Sequence, residues 1–195
     1  MKKIVHFLVV SMGFAFGSAA LAATTTTIID FNELPDGNFN TPLLSKGFVI
    51  DPALSPFQPV ITGGVDKYII FCGWCQDGQE GISIYSNTAL SFELDSLDVL
   101  FLNGAAHTGT VIGHLQGGGT ISQSLPVVDS TVVFDSSWVN LASIDIVFDV
   151  VSGPANFAVP GLDNITLQAV PVPAAVWLFA SALGAIGWVR RRSLP

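Results

Sequence analysis

The body of this chain, residues 23–169, consists of short β-branched and aromatic runs separated by Gly, Asn, Asp and Pro. No stretch of it shows a sustained 3.6-residue hydrophobic period, the pattern of an amphipathic helix. Residues 144–149 instead alternate, so Ile144, Ile146 and Phe148 share one side of an extended strand. About ten to twelve predicted strands without crossover helices favour an all-β domain arranged as a two-sheet β-sandwich.

The predicted strands are bounded by turn-forming residues. They cover residues 25–31, 47–50, 68–71, 81–85, 90–94, 98–102, 108–116, 120–125, 131–134, 143–149, 155–159 and 165–169. The run Gln116-Gly117-Gly118-Gly119 predicts a flexible hairpin turn between two of these strands. Residues 35–59 form the least regular stretch and are predicted to be a long loop.

The first 22 residues have the three parts of a secretory signal peptide. Lys2 and Lys3 form a positively charged n-region, and residues 4–16 form an apolar, helical h-region. Ala20-Leu21-Ala22 provides a small-x-small cleavage site. Ala23 is therefore the predicted first residue of an exported protein. The mature domain, residues 23–169, has about the commonest domain size and can bury a core.

Residues 170–195 combine a proline motif, an apolar segment and a basic end. Pro171 and Pro173 lack amide donors and keep the chain extended. Residues 174–189 carry no charge and would reach roughly 24 Å as a helix, enough for a thin or tilted membrane span. The arginines that follow predict a cytoplasmic C-terminus and a globular part outside the membrane.

The stretch VPVPAAVWLFASALGAIGWVRRR closely resembles the PEP-CTERM sorting signal in its VPLPA-type variant. The resemblance covers about an eighth of the chain and preserves the order of all three parts, although Val172 replaces the Leu of the variant. It assigns the sorting motif to Val170, Pro171, Val172, Pro173, Ala174, Arg190, Arg191 and Arg192.

This resemblance implies a route as well as a motif. An exosortase, a membrane-embedded cysteine protease or transpeptidase, would process the chain at the inner membrane. The product would then reach the cell surface or an extracellular matrix and associate with extracellular polysaccharide. A plain C-terminal membrane anchor without processing is the alternative, since apolar segments before basic residues also occur in tail anchors.

Three segments of the body resemble galactose-binding-like jelly-roll domains, namely residues 28–37, 100–104 and 161–167. The resemblance implies a jelly-roll-like sandwich whose first and last strands lie close together. It also implies a structural calcium held by Asp30, Glu33 and Asp163, since calcium prefers several oxygen ligands. The alternative is that Asp163 and Asn164 cap a turn through side chain–backbone hydrogen bonds.

Charge excludes one class of partner. Five of the seven basic residues lie in the terminal signals, which leaves Lys46 and Lys67 against all 15 acidic residues, a net charge of −13. Nucleic-acid binding requires phosphate neutralisation, so no nucleic-acid partner is expected. Cations, neutral glycans and basic proteins remain compatible with such a surface.

Cys72 and Cys75 form a C-x-x-C pair in an exported chain, where a disulfide is favoured. The Gly-rich segment after them does not predict the helix that activates thioredoxin-type thiols. Redox activity and metal binding stay open as alternatives, but no second cysteine pair exists to complete a zinc site.

No catalytic site is predicted. His107 and His114 have no Ser-x-Gly elbow or free Cys partner and are expected to be exposed, hydrogen-bonded residues. A non-catalytic surface or matrix protein is the preferred function. A glycan-binding module and, third, a hydrolase on a jelly-roll scaffold are the alternatives. The aromatic residues that could stack on sugars in such a module are Trp74, Trp138, Tyr68 and Tyr85.

Overall fold

The computed structural model describes residues 25–55, 58–71, 78–102, 108–126, 128–150 and 159–169, together with Ser181 and Leu183. The chain divides into one compact unit of Ala23–Pro171 and another of Met1–Ala22 with Val172–Pro195. The predicted signal peptide and sorting motif lie outside the described residues. Ser181 and Leu183 are helical, and no helix within the described ranges is long and apolar enough to cross a membrane.

The described part of the first unit is all-β, as predicted. It contains thirteen strands and one short 3-10 helix. They are β1 (Thr25–Ile29), β2 (Gly37–Asn38), β3 (Leu43–Ser45), β4 (Phe48–Asp51), η1 (Pro52–Leu54), β5 (Val60–Thr62), β6 (Tyr68–Ile70), β7 (Gly78–Ser86), β8 (Phe92–Leu102), β9 (Thr108–Leu115), β10 (Thr120–Leu125), β11 (Ser130–Val133), β12 (Leu141–Val150) and β13 (Val159–Ala169).

The strands pair antiparallel in two groups. One group runs β2-β5-β6-β13-β8, with β1 beside the second half of β13 and β11 beside β8. The other runs β10-β9-β12-β7-β4-β3. A single residue pair, Leu141 with Phe92, joins the two groups into one curled sheet.

The two groups pack face to face over an apolar core. Phe48 of β4 contacts Phe92 of β8 with ring centroids 5.4 Å apart, and Phe71 contacts Phe148 of β12 at 5.1 Å. Each contact crosses from one group to the other. Ile144, Ile146 and Phe148 are all fully buried, which confirms the side of β12 that the alternation assigned to the core.

The irregular stretch at residues 35–59 is not the long loop that its composition predicted. It contains β2, β3 and η1, together with β4, which corresponds to the strand predicted at residues 47–50. β2 takes its hydrogen bonds from β5 and β4 takes them from β7, both outside this stretch, whereas β3 pairs with the adjacent β4. The local composition could not show that other strands were available to pair with β2 and β4.

Two predicted strands, at 90–94 and 98–102, are one continuous strand, β8. The intervening polar residues belong to the ladder, because Ser96 pairs with Val133 of β11 and the Asp95 carbonyl accepts the Phe134 amide at 2.9 Å. The predicted hairpin at residues 116–119 is confirmed between β9 and β10, where Gly118 and Gly119 adopt φ of 91° and 90°. The predicted strand at 155–159 lies outside the described residues except for Val159, where β13 begins.

Candidate functional site

The predicted calcium ligands Asp30 and Glu33 lie at the end of β1, where Lys46 contacts both. The Lys46 ammonium is 2.8 Å from Asp30 Oδ1 and 3.9 Å from Glu33 Oε2, and it donates to the Ile28 carbonyl at 2.7 Å. Ser45 Oγ donates to the same glutamate. The hydrogen bond from Lys46 is the main reason that the pKa of Asp30 lies below its usual value. The ammonium group of Lys46 thus balances part of the negative charge of these two carboxylates.

Asp163, the third predicted ligand, lies in β13 opposite Asp98 of β8. The Asn164 amide donates to Asp163 Oδ1 at 2.7 Å, and the Asn164 side chain donates to Asp98 Oδ2 at 2.9 Å. Asn164 adopts a φ of 46°, a backbone conformation that Asn tolerates better than most residues. The side chain–backbone bond therefore fits the alternative that Asp163 and Asn164 cap a local irregularity.

Asp163 is 8% exposed. Burial raises its pKa to about 6, and the charges of Asp66, Asp98 and Asp30 act in the same direction. Within the described ranges, no group of three or more His, Cys, Asp and Glu side chains is arranged to hold a metal ion. The calcium site stays a prediction.

Trp138 belongs to the core. It is 3% exposed and packs against Phe134 with ring centroids 4.6 Å apart, so it has no free face for a sugar. Tyr68 and Tyr85 are half-buried. The other residues singled out from the sequence, namely Trp74, His107, Cys72, Cys75 and the sorting motif, lie outside the described residues, and the disulfide stays a prediction.

A row of hydrogen bonds crosses three neighbouring strands on the outer surface of the second group. Ser83 Oγ of β7 donates to Asp145 Oδ1 of β12 at 2.6 Å. Asp145 Oδ2 is 2.7 Å from His114 Nε2 of β9. Tyr85 and His114 both lie opposite Ser143 of β12, so all five side chains share one surface. We call Ser83, Tyr85, His114, Ser143 and Asp145 the polar sheet face.

Strand register explains why these side chains meet. Ser83 lies directly opposite Asp145, while Ile82, Ile84 and Ile146 point to the core and are fully buried. The apolar inner side thus fixes which residues face solvent. The sequence indicated that Asp145 points outward, but it gave no sign that β7 and β9 flank β12.

The polar sheet face does not have the geometry of a hydrolase. Its serine bonds to the aspartate and not to the histidine, whereas a nucleophilic serine needs a base at its hydroxyl. His114 is 40% exposed in its side chain and Asp145 20%, so neither is enclosed in a water-excluding cleft. What the arrangement offers is a partly exposed sheet surface of hydrogen-bonded donors and acceptors beside a tyrosine.

No protein-family model matches this chain, and no curated protein matches it. Among solved structures, a mutant of CBM29-2, a family 29 carbohydrate binding module, aligns at 15% identity, with a TM-score of 0.41, over 75% of this chain and 93% of that chain. Another CBM29-2 mutant, complexed with mannohexaose, aligns at 16% identity with a TM-score of 0.42 over the same shares.

An exo-beta-agarase aligns at 12% identity and a TM-score of 0.39, over 76% of this chain but only 25% of the agarase. At these identities and TM-scores the likeness carries no argument about function.

Proposed function

We propose that the mature chain is an exported, non-catalytic module on a jelly-roll-like sandwich that binds extracellular polysaccharide through the polar sheet face. The observation that carries this proposal is the bonded row Ser83–Asp145–His114 beside Tyr85. Sugars present many hydroxyl groups, each both donor and acceptor, on rings with apolar faces. A sheet surface with fixed polar groups and one aromatic ring complements that chemistry.

The side chains of the polar sheet face are held in place before any ligand binds, which favours the binding of extended ligands that make many weak contacts. The side chains of Ser83, Asp145 and His114 are already held by one another, so little rotamer freedom is lost when a ligand binds. The strands beneath them are anchored by buried residues of β7 and β12. The strongly acidic body disfavours polyanions, which makes neutral glycans the expected ligands.

Affinity electrophoresis in gels that contain neutral polysaccharides tests the proposal. Wild-type protein should be retarded by at least one polysaccharide, and Tyr85→Ala and His114→Ala should each weaken binding by about tenfold, the equivalent of about 1.4 kcal/mol. Tyr68→Ala is the matched control, because Tyr68 is also half-buried but lies in β6 of the other group. Equal losses in Tyr85→Ala and Tyr68→Ala, or no retardation of the wild type, would contradict the proposal.

We also propose that residues 170–195 deliver this module by exosortase processing. The support is the order of the proline motif, the uncharged segment and the arginines in the sequence. The exosortase and the inner membrane are then transient partners, and the cell surface or matrix is the destination. The alternative is that the apolar segment stays on the protein as a permanent membrane anchor, and analysis of the C-terminal peptide of the mature protein distinguishes the two.

A further inference from the structure

Leu44 is a large apolar side chain that the fold leaves in solvent. It lies in β3, the outermost strand of the second group, and is 59% exposed. Val49 of β4 lies directly opposite Leu44, and Tyr85 of β7 lies opposite Val49. Phe48 and Ile50, on either side of Val49, are buried in the core, so Val49 points outward. Directly opposite residues share one side of a sheet, so the three side chains form an apolar strip on the outer surface.

The apolar strip continues into the polar sheet face. Tyr85 lies opposite Ser143 of β12, and Ser143 lies opposite His114 of β9. His114 in turn lies opposite Thr120 of β10. One line of outward side chains thus crosses all the strands of the second group, over about 24 Å at the usual spacing between strands. We call it the cross-strand row, and its members are Leu44, Val49, Tyr85, Ser143, His114 and Thr120.

A line of polar residues runs beside the cross-strand row. Asp51 of β4 lies opposite Ser83 of β7, and Ser83 lies opposite Asp145 of β12. Asp51 Oδ1 accepts the Ala53 amide at 2.9 Å, and Asp145 Oδ1 accepts from Ser83 Oγ at 2.6 Å. The apolar strip is therefore bordered along one side by polar groups that are already held in position.

We propose that the cross-strand row is the path of the ligand, and that the ligand is a neutral polysaccharide with an extended, equatorially linked backbone, as in cellulose and mannan. Such a path depends on the proposed function and narrows it, because it assigns a class of polysaccharide and a direction across the strands. Leu44, which the polar sheet face leaves unexplained, becomes a contact residue at one end of the path.

The cross-section of such a polysaccharide matches the two lines of residues. When the glycosidic bonds are equatorial at both ends, the chain extends as a ribbon, with most C–H groups on its faces and hydroxyl groups along its edges. A ring face can lie on the apolar strip, where it buries apolar surface. The hydroxyl edge then meets Asp51, Ser83 and Asp145. An axially linked glucan such as amylose coils instead and cannot follow the row over its length.

The outer surface also offers a direction along β12, and its residues suit a sugar ring less well. Beyond Asp145 the outward residues of β12 are Val147 and Asp149. Asp149 accepts from Gln79 Nε2 and from Thr108 Oγ1, each at 3.1 Å. A ring face would meet the half-buried Val147 there, compared with three apolar side chains in the strip. The composition of the surface therefore favours the path across the strands.

Calorimetric titration of the exported protein with oligosaccharides tests the path. Cellohexaose, mannohexaose or both should bind at about 1 mM. A hexasaccharide that binds should do so at least about fivefold more tightly than its disaccharide, cellobiose or mannobiose, because a disaccharide covers only part of the row. Maltohexaose is the matched control ligand, since it has the composition of cellohexaose but axial linkages. It should bind at least about fivefold more weakly than the tightest of the other two hexasaccharides.

Variants test which residues the ligand contacts. Leu44→Ser should weaken binding of the tightest hexasaccharide by about fivefold, through the loss of one exposed apolar contact. Val133→Ser is the matched control, because Val133 is 72% exposed but lies in β11 of the other group, and it should bind as wild type does. Thr108→Ala changes the same outer surface away from the row and should also bind as wild type does.

The path is overturned if no hexasaccharide binds, if maltohexaose or the disaccharides bind as tightly as the equatorially linked hexasaccharides, or if Leu44→Ser binds as wild type does. Equal losses in Leu44→Ser and Val133→Ser, or in Leu44→Ser and Thr108→Ala, also overturn it, since the effect would then not be specific to the row. All of these results leave the proposed function standing if polysaccharide gels retard the wild type and Tyr85→Ala weakens that retardation. A wild type that no gel retards overturns both.

Discussion

At the scale of single residues, buried carboxyls are the most unusual feature of this protein. Most acidic side chains in the described ranges lie at the surface, but Glu80 and Asp163 are buried. Burial penalises the charged form of each and raises its pKa, to about 7 and about 6 respectively. Each therefore makes the stability of the folded chain depend on pH in a predictable direction.

Asp163→Asn should stabilise the protein at pH 8 but not at pH 4. The aspartate ionises near 3.8 in the unfolded chain and near 6 when folded, so the stability it contributes is present below 3.8 and is lost as the pH rises through about 6. Removing the charge should raise the free energy of unfolding by about 1–2 kcal/mol at pH 8, allowing for solvent screening. The substituted side chain keeps an oxygen for the Asn164 amide. Urea unfolding at both pH values measures the difference, and an equal effect at pH 4 and pH 8 would contradict the assignment.

At the scale of elements, β9 shows how the inner sheet surface accommodates large side chains. Gly109 and Gly113 lie on the core side of β9 with Val111 between them. A Cβ atom at Gly113 would lie 2.9 Å from Leu141, 3.0 Å from Ile121 and 3.1 Å from Trp138. The absence of a side chain at Gly113 leaves room for the Trp138 ring and for the side chains of Leu141 and Ile121, which pack against β9.

Gly113→Ala should therefore destabilise the fold by about 1–3 kcal/mol, the usual cost of overpacking a filled core. Gly117→Ala is the matched control, because a Cβ there would meet nothing within 4 Å and its φ is not in the left-handed region. The control should change stability by less than about 0.5 kcal/mol. Thermal or urea unfolding of both variants measures the contrast. Similar losses in the two variants would show that the packing around β9 is not the cause.

At the scale of the whole molecule, the proposals divide the chain into a binding module and its delivery signals. The described β-domain carries the polar sheet face. Residues 170–195 carry the proline motif and the arginines of the proposed sorting signal. A processed chain would reach its destination without its apolar C-terminal segment, whereas a plain anchor would keep it.

The mature protein should accordingly lack residues 174–195. Pro171 and Pro173 hold the motif extended for the processing enzyme, so Pro171→Ala/Pro173→Ala should accumulate as a longer, membrane-bound precursor. Mass spectrometry of the C-terminal peptide decides the question. Pro126→Ala, outside the motif, serves as a control for a proline change that should leave processing unaltered. An intact Arg-rich terminus on wild-type protein at the cell surface would refute the sorting proposal.

Local pattern was sufficient for part of this architecture. Alternation at residues 144–149 indicated both a strand and its buried side, because successive side chains of a strand point to opposite faces. The glycine run indicated the β9–β10 hairpin, since Gly adopts positive φ without steric cost. The charge count alone separated an acidic mature body from basic terminal segments.

Only the tertiary structure decided which strands became neighbours. Ser83 and Asp145 are 62 residues apart, and His114 and Asp145 are 31 apart, yet all three meet on one surface. The burial of Glu80 and the pairing of Asp30 with Lys46 depend on long-range neighbours in the same way. Alternation determines which way each side chain points, but many strand orders satisfy the same alternation. The order is selected by burial over the whole core, and that information is spread along the entire sequence.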